Sequence, residues 1–140
     1  MYAQSDYLDR DYRVNPEPIL DVEPDSLYRN LSTGSVHIVK CSDGVAAFEC
    51  AFSYDEEKRK STTNLLLFTS LDGTNFTFNK LIQKTPKEGW ASRYITSVDV
   101  RYKESENSWY CYYSANGYVP IVGHKFVKES LGLLLATDAK

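Results

Sequence analysis

A chain of 140 residues is long enough for one domain, expected to span 1–140, that buries roughly two thirds of the surface its unfolded form exposes. A net charge of −3 creates no field that would gather phosphates, which argues against nucleic acid as a partner. No stretch approaches the roughly 20 apolar residues of a membrane span, and Asp6, Asp9 and Asp11 interrupt any leader-like run, so membrane is excluded as a partner and the sequence reads as cytoplasmic when synthesised. Placement in a virion, or release by lysis, is compatible with that reading.

Eleven Tyr and six Phe enrich the chain in residues that favour strands, and the elements follow in order. Residues 9–15 read as an N-terminal strand running into Pro16-Glu17-Pro18, acceptable at a sheet edge with one unpaired side. Residues 35–39 and 48–53 read as strands joined by a hairpin turn at Ser42-Asp43-Gly44, where Gly tolerates positive φ. The mixed charge run 54–60 is a solvated hairpin tip leading to a strand at 64–70. Its Leu65-Leu66-Leu67 triplet is continuous rather than alternating, so both faces should be buried. Asp72-Gly73 turns the chain into a further strand at 77–83. Val98, Val100 and Tyr102 then alternate with Ser97, Asp99 and Arg101, the period of a pleated strand. A turn at Glu106-Asn107 leads to a strand at 109–114, an apolar loop at 116–126 expected to make a subunit contact or, second to that, a ligand contact, and a final strand at 132–138 whose second Leu triplet should likewise be buried on both faces.

These segments repeat. Residues 35–39 match 97–101, 48–53 match 109–114, and 64–70 match 132–138, each after about 60–70 residues, a spacing to be tested as a repeat architecture. The expected fold is all-β: two four-stranded antiparallel β-propeller blades per chain, one at 31–84 and one at 90–140 lacking its outer strand. Residues 1–22 would supply that missing strand to a neighbour. Two blades cannot close a ring, so a homo-oligomer is expected, most simply a trimer of about six blades.

The segments 16–21 (PEPILD), 69–76 (TSLDGTNF), 109–117 (WYCYYSANG) and 129–138 (ESLGLLLATD) resemble the blades of the five-bladed propeller glycosidases of the arabinanase and xylosidase type, glycoside hydrolase family 43. The resemblance implies a propeller, and in that family an Asp opening the first blade acts as catalytic base. The matching triplets here are Thr33-Gly34-Ser35 and Ile95-Thr96-Ser97, and neither keeps the Asp. The expected function is a non-catalytic, lectin-like carbohydrate-binding ring, with no catalytic residues assigned. The alternatives are a structural or assembly protein without a small ligand, and a glycoside hydrolase of that type.

An exposed Trp can stack on a sugar ring and an Arg can bond its hydroxyls, so Trp90, Arg93 and Tyr94 in the loop at 85–94, with Asp99, are the candidate glycan-binding residues. Asp99 and Arg101 lie on one side of a strand and read as an ion pair along a central channel rather than as catalytic groups. His37 and His124 have no neighbour at metal-ligand spacing, and no metal or other cofactor is expected. The three cysteines, Cys41, Cys50 and Cys111, form no CxxC pair and read as buried thiols. The expected partners are copies of the chain itself, and glycans.

Overall fold

The computed structural model describes residues 2–121 and 124–137, with side chains at all of them except Tyr2 and residues 119–121 and 124–126. It is all-β, with β1 (Tyr2–Gln4), β2 (Arg13–Asn15), β3 (Val36–Cys41), β4 (Gly44–Asp55), β5 (Lys60–Ser70), β6 (Thr77–Lys84), β7 (Tyr94–Lys103), β8 (Ser108–Ile121) and β9 (His124–Thr137). They form three separate antiparallel sheets, ordered β1-β2, β3-β4-β5-β6 and β7-β8-β9. No helix among the described residues is long and apolar enough to cross a membrane.

The turns follow from local chemistry. Gly44 takes φ 135° in the β3–β4 hairpin, and a Cβ there would lie 2.1 Å from the Ser70 carbonyl oxygen. Asn107 takes φ 48° between β7 and β8 after a single 3-10 turn, Glu104–Glu106. Between β5 and β6 the Asp72 carboxylate accepts from the backbone N–H groups of Thr74 and Asn75, both at 2.8 Å, and from the Ser70 hydroxyl at 2.9 Å. Those bonds hold its carboxyl well below the usual carboxylate range.

The four-stranded sheet is covered on both faces. One face carries the rows Val36-Glu49-Leu66-Leu81 and Ile38-Ala47-Phe68-Phe78, one residue from each of β3 to β6. Leu20 and Tyr28, from the segment before β3, pack on Leu66, Phe68, Ala47 and Ala51. The opposite face packs Cys50 and Leu65 against Ile95, Val98, Val100, Cys111 and Ala115 of the three-stranded sheet. The Leu triplet of β5 is therefore buried on both sides at Leu65 and Leu66.

The other triplet departs from expectation. Leu134 faces the core, but Leu131, Leu133 and Leu135 lie on the outer face of β9, which nothing among the described residues covers, and are 68, 44 and 63% exposed. The expected propeller is not formed. The sheets have two, four and three strands, β8 and β9 run 14 residues each where β4 and β5 have 12 and 11, and neither repeated blades nor a closed ring results. The N-terminal strand is satisfied locally: Tyr2, Ala3 and Gln4 pair with Asn15, Val14 and Arg13. Closing that short loop costs less entropy than a distant pairing. Nor do residues 116–121 and 124–126 form the expected apolar loop, because their backbone extends the β8–β9 ladder, with Asn116 opposite Glu129 and Ile121 opposite His124. Residues 122–123 and the end of the last expected strand, Asp138, lie outside the described residues, as does the His124 side chain.

Glu49 is fully buried on the central strand β4, beside Arg29, whose Nε lies 3.6 Å from Oε2. Arg29 is held by Glu23 at 3.1 Å and by the Asp21 carbonyl, and its guanidinium lies 4.7 Å above the Phe68 ring. Burial raises the Glu49 pKa more than Arg29 lowers it. A carboxyl with a raised native pKa favours the fold while protonated and loses that contribution as pH rises through the native value. The urea midpoint of the wild type, measured against that of Glu49→Gln, should therefore fall as pH rises from the ordinary Glu range upward. A difference independent of pH would contradict this assignment.

Candidate functional site

The loop before β7 brings three of the sequence-singled residues to one end of the sheets. The Trp90 ring stacks on Tyr113, centroids 5.9 Å apart and planes at 21°. Gly132 of β9 is the ladder partner of Tyr113, and a Cβ there would come within 2.4 Å of the Tyr113 ring. The backbone carbonyl of Trp90 would lie 2.5 Å from a Cβ at Gly117, so this loop and β8 meet where only glycine fits. The Arg93 guanidinium sits 5.2 Å from the Tyr94 ring centroid and 5.7 Å from that of Tyr118. Asp99 is elsewhere, paired with Arg101 Nε at 3.2 Å and with His37 Nδ1 at 3.1 Å across the β3 and β7 edges. Trp90, Arg93 and Tyr94 are thus neighbours and Asp99 is not part of their group. The expected ion pair of Asp99 and Arg101 exists, but with no ring there is no central channel for it to line.

The same end is where the two larger sheets are tied together. The Thr63 hydroxyl on β5, fully buried, accepts the backbone N–H of Ile95 on β7 and lies 2.9 Å from the Thr85 hydroxyl. The Ser61 and Tyr94 hydroxyls lie 2.9 Å apart, and the Phe52 and Tyr94 rings 5.8 Å apart.

At the opposite end the sheets enclose a cavity of about 350 Å³. Its walls come from Phe48 on β4, Leu67 on β5, Ile82 on β6, Val100 on β7, Trp109 on β8 and Leu134 on β9. Its floor is buried at Ala46, Val100 and Cys111, while Thr69, Lys80, Ala136 and Thr137 at its rim are exposed. Among the described residues that line it, Lys80 is the one that carries a charge. Phe48 and Trp109 face each other across the gap, centroids 6.4 Å apart, and Tyr102 backs Trp109 at 4.8 Å. An apolar cleft of this size with a few convergent polar groups at the rim is the usual form of a small-molecule site. Sequence reasoning missed it because its walls come from six strands, and each apolar residue reads in isolation as core.

Cys41 and Cys111 also line this cavity, and Cys50 packs beside it in the inter-sheet core. Burial pushes the Cys50 thiol up to about 12 and the Cys111 thiol up to about 11. Both stay protonated at neutral pH, and a thiol rather than a thiolate is a poor nucleophile. Among the described residues, no group of three or more His, Cys, Asp or Glu side chains is placed to hold a metal ion.

No family model matches the chain, and neither a curated protein nor a solved structure matches it. The resemblance to propeller glycosidases is therefore not supported, and with the ring absent nothing remains to carry the lectin-like oligomer, its structural alternative or the glycosidase reading.

The thiols are expected to separate under an aromatic disulfide reagent. Cys41 is half-buried, whereas Cys50 and Cys111 are 0 and 6% exposed. The native protein should release one equivalent at the rate of a partly shielded thiol, and the other two only on unfolding. Fast release of more than one equivalent from native protein would contradict the inter-sheet packing.

Proposed function

We propose that the protein is a small-molecule binding protein that takes an apolar ligand into the cleft between β3–β6 and β7–β9. The observation that carries this reading is the cavity of about 350 Å³, walled by aromatic and aliphatic side chains and open at a polar rim. Its volume falls at the lower end of the range for ligand pockets, which suits a slender chain or a single ring better than a fused polycycle. The clamp at Thr63 and Ile95 holds the sheets together at the far end, so the cleft is preformed and little ordering is required on binding.

Titration calorimetry with straight-chain alcohols from hexanol to decanol tests this. Burial of each methylene contributes about 0.8 kcal/mol, so affinity should rise about fourfold per carbon until the cleft is full. Ala136→Trp, which fills the rim from an exposed position, should abolish binding. Leu133→Gln, on the outer face of the same strand, should leave it unchanged. Equal affinities along the series, or binding that follows Leu133 rather than Ala136, would overturn the reading.

A further inference from the structure

We infer that the ligand is an anionic amphiphile: an alkyl or aryl body in the cleft and a carboxylate head at the rim, held by Lys80. This rests on the cleft being a ligand site.

Lys80 stands on β6 directly opposite Leu67 of β5, in the row His37-Phe48-Leu67-Lys80 that faces the three-stranded sheet. Leu67 and Phe48 of that row are cavity wall, so the Lys80 stem continues the apolar surface and its ammonium reaches water at the rim. Thr69 and Thr137 are exposed on the same rim and add two hydroxyl donors. Among the described residues, Lys80 has no ion-pair partner, and neither threonine hydroxyl is committed to a hydrogen bond. That distinguishes Lys80 from Lys58 and Lys103, which are held by Asp55 and Glu106.

The opposite head charge has a weaker claim. A polar groove lined by Asp43 and Asp72 adjoins the cleft, sharing Cys41 and Thr69 with it. The Asp72 carboxylate is already saturated by Ser70, Thr74 and Asn75 within its own turn, and Asp43 does not line the cleft. A carboxylate at the rim stays hydrated while meeting a free cation, so the body can be buried without burying the charge.

The test compares decanoate, decanol and decylamine on the full chain by calorimetry at low salt, in wild type and in Lys80→Gln. An exposed ion pair is worth about a two- to fivefold gain in affinity, so decanoate should bind that much more tightly than decanol. In Lys80→Gln the advantage of decanoate over decanol should vanish, and added salt should erase that advantage in wild type. Decanoate no tighter than decanol in wild type, or decylamine the tightest of the three, overturns the anionic head while leaving the cleft. Failure of all three to bind overturns the cleft itself.

Discussion

The hydroxyl of Thr63 sets the relation between the two larger sheets. Fully buried on β5, it accepts the N–H of Ile95 at the start of β7, a backbone donor that would otherwise be stranded between the sheets. The Thr85 hydroxyl, at 2.9 Å, brings in the chain leaving β6, so β5, β6 and β7 meet at one buried knot. Apolar packing is tight around it at Leu65, Ile95 and Ala115, all at 0% exposure. Toward the other end of the strands Phe48 and Trp109 meet with ring centroids 6.4 Å apart and line the cleft. The clamp and the cleft thus lie at opposite ends of the same pair of sheets.

The second layer of cover rests on a different chemistry. The segment before β3 lies across the far face of the four-stranded sheet with Leu20 and Tyr28 as apolar anchors, and Arg29 adds a charge that reaches Glu49. A buried ion pair of this kind is weak support on its own, because desolvation consumes much of its attraction. Neither Glu49 oxygen, nor Arg29 Nε, makes a hydrogen bond among the described residues. Arg29 is nevertheless well fixed, by Glu23, the Asp21 carbonyl and the Phe68 ring. The segment is thereby placed in one register, with Tyr28 carbonyl and Ser53 hydroxyl both accepting from Asn64 Nδ2, at 2.8 and 3.0 Å.

The two Leu triplets show how far the sequence could be read. Period and composition place strands over 35–39, 48–53, 64–70, 77–83 and 97–101, and each overlaps one of β3 to β7, with Ser35 alone falling before its strand. The Gly44 and Asn107 turns were equally legible, since few residues tolerate their φ. What covers a strand is not local information. Leu65-Leu66-Leu67 and Leu133-Leu134-Leu135 are alike as strings, yet the first lies in the middle layer and the second on an edge strand with one face in solvent. Taking both as buried on both faces is what required a neighbouring sheet, and hence a ring. Trp90, Arg93 and Tyr94 could be grouped because they are close in sequence. Glu49 could be noticed as an acid on a strand, but its partner Arg29 lies in a segment with no periodicity, and the cleft residues are scattered from Cys41 to Thr137.

The exposed face of β9 and the cleft are both apolar, and geometry separates what each can do. Leu131, Leu133 and Leu135 stand in a row on a pleated surface, with Tyr112 opposite Leu133 and Tyr110 opposite Leu135. A small molecule laid on such a surface would leave one side in water and lose half the area that could be removed from it. In the cleft a chain of the same size is covered by the four-stranded sheet on one side and by Val100, Trp109 and Leu134 on the other. The buried Cys111 is among the residues lining it, and burial pushes that thiol's pKa up. Concavity and an apolar lining on both sides together favour the cleft over the flat face.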